Sequence, residues 1–491
     1  MANLNKDALL LILEELQYDK NSLYSCLLVN KIWCETTVPI LWKNPWKDLP
    51  RGKEKSQSNV FVSHLSNEVR EKLKREHGII LPKAMKLSFN YISFCRYLEL
   101  YRLDRITFTI KDIKKSKIPF MKLEIARLFI NRNTRFTHLY LHQCDLQTNL
   151  IPGIEICFSK LKFLRSQPSN FLCELSEISE SIEEIEFYIT EYNNKDNYGI
   201  TKLIEAQKNL NYFSFTYGKG DKSLCKTLGD SLIKHASTLQ YLKIDLELIT
   251  KITKSLSYLL NLSNLEIINP NNQRAWYHIE NVSFPFLKFL KTQQVSTKSL
   301  IGLIENTKGH LMELCIDYED NDENLIQAIY KNCPKLKYLK LSITNSSIRS
   351  IKELDNLLIN CQYLNGLVIY IRKNFDWDNF FKSLIKSSPN SLLKFKLFSS
   401  IWDNYSPESL KLFFDNWKSR HPMLLHTNLP NNEKEIFDLI KKYVAEGIII
   451  KHENVSDRTI FEDFEWTYPT QKSVSKFESL ETIDSKQITD L

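Results

Sequence analysis

The apolar residues of this chain follow a short pattern, L-x-x-L-x-L, that returns through most of the sequence. The pattern first appears as FTHLYL at Phe136 and last as LLKFKL at Leu392. Eleven copies occur, and successive copies start 21 to 29 residues apart. The copies between the first and the last start at Leu161, Ile182, Leu210, Leu239, Leu262, Leu287, Leu311, Leu336 and Leu364. This regular period predicts a repeat architecture.

Each copy predicts one strand, because its fourth and sixth positions are apolar and lie on the same face of an extended chain. The sequence between copies often has helical spacing, for example at Leu300, Leu303 and Ile304. Each unit is therefore expected to be strand, turn, helix and turn. We predict an α/β fold in which residues 131–400 form a leucine-rich-repeat solenoid, a horseshoe with a parallel sheet inside and helices outside.

The repeats are expected to end near Leu397. Ser406 and Pro407 have the residue types of a helix start, and Gly447 is expected to end a second helix. Both helices carry apolar residues at helical spacing, so residues 401–466 are expected to cap the last repeat. Residues 467–491 are polar and are expected to form a disordered tail.

A short helix is predicted near the N-terminus, from about Asp7 to Leu16. Its buried stripe is expected to consist of Ala8, Leu9, Ile12, Leu13 and Leu16. Leu10 and Leu11 lie about 100° and 200° round the helix from Leu9. A helix that is apolar nearly all round needs two burial partners, and a segment of about 46 residues cannot supply both. The second partner is expected to be another protein.

Composition indicates a folded soluble chain, with 43% hydrophobic and 25% charged residues. No run of apolar residues is long enough for a membrane span, so no membrane association is expected. Ten cysteines are scattered without a C-x-x-C motif, which argues against a zinc cluster or a disulfide framework. We therefore expect a reducing compartment, the cytosol or the nucleus, and no metal or other cofactor.

Positive charge is concentrated in residues 47–130, which carry 19 Lys/Arg and 9 Asp/Glu. Residues 48–60 are polar and are expected to form a linker. The following stretch, from His64 to Gly78, is expected to be an amphipathic helix with Phe61, Leu65, Val69 and Leu73 on its buried side. A nucleic-acid or anionic-surface binder remains an alternative, although no nucleic-acid fold signature accompanies the charge. Residues 47–130 are thus predicted to be a basic linker helix and N-terminal cap.

The N-terminal segment, residues 1–46, resembles an F-box. The order LNKDALLLILEEL, then SLYSCLLVNKIW, then VPILW matches the family pattern, except that Asn5 stands where the family usually has Pro. The repeat IYKNCPKLKYLKLSIT (Ile329 to Thr344) also resembles the cysteine-containing repeat of F-box leucine-rich proteins. The matching residues of the F-box pattern are Leu4, Asp7, Leu9, Ile12, Leu13, Leu16, Leu23, Leu28, Val29, Lys31, Trp33, Leu41 and Trp42.

The resemblance implies a non-catalytic substrate receptor of a Skp–cullin–F-box ubiquitin ligase. The F-box would bind a Skp-family adaptor and through it a cullin, while the repeats bind a protein substrate. Trp33 is expected to pack in the core of the F-box helices. No protease, P-loop or hydrolase motif argues for an enzyme. The residues expected at the adaptor are Leu4, Asp7, Leu9, Leu10, Leu11, Ile12, Leu41 and Trp42.

The substrate is expected on the concave side of the sheet, where the third and fifth residues of each copy point. The third positions supply aromatic rings and the fifth a row of lysines expected to face solvent, a combination that suits an acidic or phosphorylated segment. The alternative is that aromatic residues are present because they favour strands, and that the chain is an interaction scaffold without ligase function. The residues expected at the substrate are Tyr212, Tyr241, Lys243, Phe289, Lys291, Tyr338 and Lys340.

Overall fold

The computed structural model describes most of the chain between residues 5 and 454. The described ranges are 5–47, 54–110, 113–141, 151–189, 197–217, 224–245, 248, 252–268, 279, 281–317, 323–343, 348–371, 376–399, 406–429 and 434–454. Leu4 and the predicted tail lie outside them, as does the end of the predicted C-terminal cap.

The described strands form one sheet of fourteen in chain order, and every neighbouring pair is parallel. The strands are β1 Tyr97–Glu99, β2 His138–Leu141, β3 Phe163–Ser166, β4 Glu184–Ile189, β5 Tyr212–Tyr217, β6 Tyr241–Asp245, β7 Asn264–Ile268, β8 Phe289–Gln293, β9 Glu313–Asp317, β10 Tyr338–Ile343, β11 Gly366–Ile371, β12 Lys394–Ser399, β13 Met423–Thr427 and β14 Ile449–Asn454.

Helices fill most connections between strands and form the N-terminal part of the chain. The first eight are α1 Lys6–Glu15, α2 Lys20–Cys26, α3 Lys31–Leu41, α4 Glu54–Ser63, α5 Asn67–His77, α6 Tyr91–Phe94, α7 Leu100–Thr109 and α8 Ile118–Phe129. A 3-10 turn, Lys115–Lys117, precedes α8. The later helices are α9 Ile154–Phe158, α10 Phe171–Ile178, α11 Asn197–Ala206, α12 Leu224–Ile233, α13 Thr253–Leu256, α14 Thr297–Glu305, α15 Glu323–Asn332, α16 Ile348–Asn360, α17 Trp377–Ser387, α18 Pro407–Trp417 and α19 Lys434–Ala445.

The predicted strand phase is confirmed. In β10 the side chains of Leu339 and Leu341 belong to one long apolar core that extends from the N-terminal cap region to β14. The apolar stripe predicted from Leu300, Leu303 and Ile304 forms the buried face of α14. The core therefore lies between the sheet and the helices, as a leucine-rich-repeat solenoid requires.

The cysteines at the ends of α15 and α16 are packing residues. Cys333 and Cys361 are fully buried in the same core, and the Cys361 thiol lies 3.9 Å from the Cys333 carbonyl oxygen. Burial raises the pKa of Cys361 to about 12, which keeps the thiol protonated and unreactive.

The sheet is longer than predicted, so the expected end of the repeats near Leu397 is wrong. β13 and β14 follow β12, and the predicted capping helices α18 and α19 lie in the connections that lead to them. At the other end β1 precedes the first predicted copy and pairs with β2. Its sequence CRYLEL, from Cys95 to Leu100, fits the repeat pattern with Cys in place of the first Leu.

The predicted linker and long amphipathic helix are also corrected. Residues 54–63 form α4, in which Phe61 is fully buried, and residues 48–53 lie outside the described residues. Ser66 accepts a hydrogen bond from the Val69 amide and starts a separate helix, α5. Gly78, with φ +58°, ends α5 in the left-handed conformation that favours glycine.

Candidate functional site

The first three helices have a small core of their own. Leu9 and Leu13 of α1 are buried against Leu23 and Cys26 of α2. Leu16, Trp33, Ile40 and Leu41 pack against this cluster as partly buried side chains. The expected position of Trp33 in this core is confirmed. Leu9, which was expected at the adaptor, is instead a core residue, because it occupies the centre of the buried stripe.

Several apolar side chains of this three-helix unit are exposed. Leu10 is 39% exposed and Leu11 is 66% exposed, which confirms that neither belongs to the unit's own core. Ile12, expected in the buried stripe, is 45% exposed, because it lies at the edge of that stripe. At the junction of α2 and α3, Leu28 is 88% exposed and is followed by the exposed Val29. Such a density of exposed apolar side chains is typical of a binding surface.

Asn5, at the position where the F-box family usually has Pro, has a local structural role. Its side chain accepts a hydrogen bond from the Asp7 amide at 3.3 Å and so caps the N-terminus of α1. Asp7 is exposed in the first turn of α1, where its charge is favourable towards the helix dipole. The departure from the family pattern therefore preserves the start of the helix.

Trp42 and Trp46 join the three-helix unit to the repeats. The Trp46 indole is buried and donates from Nε1 to the Tyr97 carbonyl oxygen of β1 at 2.9 Å. The Trp42 ring lies 4.5 Å from the Tyr91 ring and 6.0 Å from the Phe61 ring. Trp42 was expected at the adaptor, but these contacts place its ring against α6 and α4, beside the main core.

The second candidate surface is the side of the sheet opposite the helices, here called the groove. The strand register places the third-position residues of successive strands side by side: Tyr212, Tyr241, Asn264, Phe289, Glu313 and Tyr338. It aligns the fifth positions in the same way. The Tyr212 and Tyr241 rings stack with centroids 4.5 Å apart. The two expected rows therefore exist and face the same side.

The lysine row is interrupted by a buried carboxylate. Glu266 of β7 lies between Lys243 and Lys291 in the register. The Lys243 ammonium lies 3.5 Å from the Glu266 carboxylate, and the Tyr241 hydroxyl donates a hydrogen bond to it. Burial alone raises the pKa of Glu266, but Lys243 and Lys291 outweigh burial, so the net pKa is lowered. The single Glu266 carboxylate thus compensates about one of the two lysine charges, and reversing the charge of Lys243 would disrupt this network.

Lys340 was predicted to face open solvent, and that prediction is wrong. It is only 6% exposed, and its neighbours in the register are Cys315 of β9 and Val368 of β11. Both neighbours belong to a second apolar cluster, which lies on the groove side of the sheet. The aliphatic stem of Lys340 is therefore packed, so Lys340→Ala is expected to lower stability.

The N-terminal end of the groove contains a stack of rings that the sequence analysis missed. His138 lies between Tyr97 and Phe163, with ring centroids 3.9 Å and 5.6 Å away. Burial lowers the pKa of His138 to about 4, so its ring is neutral near pH 7. Next to the stack Arg165 pairs with Glu186 at 2.5 Å. The sequence CRYLEL fits the repeat pattern and could have predicted β1. This strand places Tyr97 in register with His138.

Two groove carboxyl groups titrate near neutrality. Burial raises the pKa of Glu184 to about 7, with further contributions from Glu186 and Glu183. Burial also raises the pKa of Glu313 to about 7, against the opposing charge of Lys337. Because both pKa values exceed that of an unfolded Glu, the folded chain binds more protons than the unfolded chain between these values. Stability therefore falls as pH rises from about 4.5 to about 7.

We expect the double variant Glu184→Gln/Glu313→Gln to gain stability relative to the parent chain as pH rises from 5 to 8. The Gln amides cannot ionise, so the variant lacks the loss of stability that ionisation of the two carboxyl groups causes as pH rises. Chemical denaturation at both pH values measures the difference in unfolding free energy. Glu305→Gln, at an exposed position on α14, is the control and should show no such pH-dependent gain. A difference that is equal at the two pH values would contradict the proposed titration.

One basic residue of segment 47–130 forms hydrogen bonds within the fold. Arg70 of α5 donates to the carbonyl oxygens of Val62, Leu65 and Pro82 at 2.7 to 3.3 Å. Its charge therefore holds α4, α5 and the following loop together. Within the described residues no group of three or more potential metal ligands occurs, and no helix there is long and apolar enough to cross a membrane.

Comparisons with known proteins add little to this picture. No family model matches the chain, and no curated protein matches it. A protein from Bacteroides fragilis with a known crystal structure is 15% identical in sequence to this chain, with a TM-score of 0.30. The match covers 52% of this chain and 66% of the Bacteroides chain. The leucine-rich repeat-containing protein LegL7 from Legionella pneumophila is 13% identical in sequence, with a TM-score of 0.34. The match covers 63% of this chain and 91% of the LegL7 chain.

The class of protein follows from the chain's own architecture. A parallel sheet in chain order, with helices in the connections and one core between the two layers, is a leucine-rich-repeat solenoid. A small helical unit precedes it.

Proposed function

We propose that this chain is the substrate-recognition subunit of a ubiquitin ligase of the Skp–cullin–F-box type. In this proposal α1–α3 bind a Skp-family adaptor and through it a cullin, and the groove binds a protein substrate. The ubiquitin chemistry belongs to other subunits. We propose the cytosol or the nucleus as its location, on the basis of the cysteine pattern.

The observation that carries the proposal is the two-sided helix α1. Its Leu9 and Leu13 complete a core inside the unit, while Leu10 and Leu11 remain exposed. Burying a Leu side chain contributes about 1.5–3 kcal/mol, so two exposed leucines on one short helix offer considerable binding energy to a partner. Leu28 and Val29 add to the exposed apolar surface of the same unit. The resemblance to an F-box supports a Skp-family adaptor as the partner.

For the substrate we propose a segment that carries both apolar and acidic side chains. Support comes from the C-terminal half of the groove, where the ammonium of the partly buried Lys394 of β12 lies 3.4 Å from the Tyr338 hydroxyl of β10. Lys243 and Lys291 contribute less than expected, because Glu266 compensates part of their charge. Phosphorylated residues in the substrate would strengthen the same contacts.

We expect Leu10→Ser/Leu11→Ser to abolish binding of a purified Skp-family adaptor, because the change replaces exposed apolar surface by hydroxyl groups. Binding is measured by biolayer interferometry on the full chain. Thermal unfolding of the variant should match the parent chain, since neither residue belongs to the core.

The matched control is Leu412→Ser/Val444→Ser, which changes two exposed apolar residues of α18 and α19. The control should bind the adaptor normally. Normal binding by the Leu10/Leu11 variant would show that the adaptor uses another surface. If the parent chain itself does not bind, the ligase proposal fails and the chain is better described as an interaction scaffold.

A further inference from the structure

A carboxyl group interrupts the row of aromatic rings in the N-terminal half of the groove. The third positions on both sides of β4 hold rings: Tyr97, His138 and Phe163 before it, and Tyr212 and Tyr241 after it. Within each set, neighbouring rings stack with centroids 3.9 to 5.6 Å apart. β4 has Glu184 at the same position, with Phe163 and Tyr212 beside it in the register. Glu184 therefore fills the gap between two sets of stacked rings.

Glu184 differs from the neighbouring carboxylates because it has no cation of its own among the described residues. Lys162 pairs with Glu183 at 2.5 Å, and Arg165 pairs with Glu186 at 2.5 Å. Glu184 forms no ion pair with any described residue. Burial and the charges of Glu186 and Glu183 raise its pKa to about 7. A carboxylate in this setting is stabilised by a cation that arrives from outside the chain.

The carboxyl group lies where the groove is still partly open. Glu184 is only half-buried, as are Tyr97 and Tyr241. The Tyr97 hydroxyl lies near the same opening, since burial and then the charges of Tyr18 and Glu184 raise its pKa to about 12. Phe163 and Tyr212 are buried and so form fixed walls. Their strands are about 10 Å apart, which puts a cation between them about 5 Å from each wall, within cation–π range.

We propose that Glu184 binds the guanidinium group of an arginine in a protein segment that crosses the groove. The carboxylate accepts two parallel hydrogen bonds from the guanidinium, and the walls lie on either side of this flat group. Arginine fits better than lysine, because its charge is delocalised and less strongly hydrated, so it enters a half-buried site at lower cost.

The arginine site also extends the proposed function. If the groove binds a ligase substrate, an arginine of that substrate lies at β4 and its acidic side chains lie near Lys394 of β12. The direction in which the substrate crosses the sheet is then fixed. That consequence rests on the proposed function, whereas the arginine site itself does not.

Glu313 provides a matched control in the same row. It lies beside Phe289 and Tyr338 in the register, and burial raises its pKa to about 7. Unlike Glu184, it has the opposing positive charge of Lys337. Glu313→Gln therefore makes the same chemical change between similar neighbours without removing the proposed site.

Peptide selection is the first experiment. A phage library of random dodecapeptides is selected at pH 8 on the full chain and, in parallel, on Glu184→Gln and Glu313→Gln. Arginine should be enriched at least about fivefold on the parent chain and on Glu313→Gln, but not on Glu184→Gln. The net charge of +8 repels basic peptides from most of the surface, so such enrichment requires a specific anionic site. Selection of no peptide, no arginine enrichment, or equal enrichment on Glu184→Gln would overturn the proposal.

The second experiment isolates the charge. A selected peptide is labelled with fluorescein, and its arginine is replaced by citrulline, which has nearly the same shape but no charge. By fluorescence anisotropy at pH 8, the arginine peptide should bind the parent chain at least about tenfold more tightly than the citrulline peptide. Equal affinities would show that the guanidinium charge is not recognised.

The pH dependence of the same binding reports on Glu184. Its carboxyl group is mostly protonated at pH 6 and mostly ionised at pH 8, so the affinity for the arginine peptide should rise between these values. The rise should be absent for the citrulline peptide and for Glu184→Gln. A rise that persists in Glu184→Gln would assign the titration to another group and overturn the proposal. The other charged or titratable side chains around Glu184 are Lys162, Arg165, Glu183, Glu186, Tyr97 and Tyr212.

Adaptor binding by the parent chain and by Glu184→Gln is measured in parallel. Absence of adaptor binding by both chains would reject the ligase proposal but leave the arginine site standing. Normal adaptor binding without any arginine preference would reject the arginine site alone. The two failures can therefore be told apart.

Discussion

Leu339→Ala is expected to lower the free energy of unfolding by about 2–5 kcal/mol. Leu339 is fully buried at the centre of β10, with Leu314 and Leu367 beside it in the register. Truncation removes apolar contacts and leaves a cavity that three rigid strands cannot close. In a solenoid each repeat is stabilised by its neighbours, so the loss should weaken both interfaces of the repeat. Chemical denaturation of the full chain measures the effect.

The matched control is Leu260→Ala, the same chemical change at a residue that precedes β7 and is about half exposed. It should change the unfolding free energy by less than about 0.5 kcal/mol. Similar losses in the two variants would show that the inward and outward positions of the repeat are wrongly assigned.

Trp46→Ala is expected to cost about 3–5 kcal/mol, because it removes the largest side chain at the junction between the helical unit and the repeats. The indole lies 5.5 Å from the Phe61 ring and 5.8 Å from the Phe129 ring, and it bonds to the Tyr97 carbonyl. The variant should also expose the junction to solvent. Amide hydrogen exchange should therefore increase in α4 and β1 before it increases in the central strands.

Trp46→Phe separates the two contributions. Phe keeps an aromatic ring at the junction but cannot donate to the Tyr97 carbonyl oxygen, so a loss of about 1–3 kcal/mol is expected. Unchanged hydrogen exchange in α4 and β1 of Trp46→Ala would show that the junction does not depend on this residue. If α1–α3 bind an adaptor as proposed, that binding should survive in both variants, because Leu10 and Leu11 are exposed.

The two candidate surfaces differ in how they are built. The exposed apolar surface of the N-terminal unit depends on side chains of one short helix, which the three-helix unit leaves exposed. The groove depends on the register of many strands, which brings together residues distant in sequence. Lys243 and Glu266, for example, are neighbours only because β6 and β7 pair in parallel.

The repeat and the strand phase could be predicted because they are local. The positions of Leu339 and Leu341 follow from the alternation of a strand, and those of Leu300 and Leu303 from helical spacing. The same holds for α1, where the angle between Leu9 and Leu11 predicted an exposed side. Ser406 also caps α18 as its sequence indicated, by accepting from the Ser409 amide.

The sequence by itself therefore determined the period of the repeat, the inward residues of each unit and the two-sided first helix, since each of these depends on residues close in the chain. The tertiary structure alone decided that Trp42 packs against α4 and α6 and Trp46 against β1, that Lys340 is packed, and that Glu266 compensates part of the charge of its lysine neighbours. It also extended the sheet to β1, β13 and β14. Burial and charge compensation depend on neighbours that come from other strands, and the chain order does not specify how closely those neighbours pack.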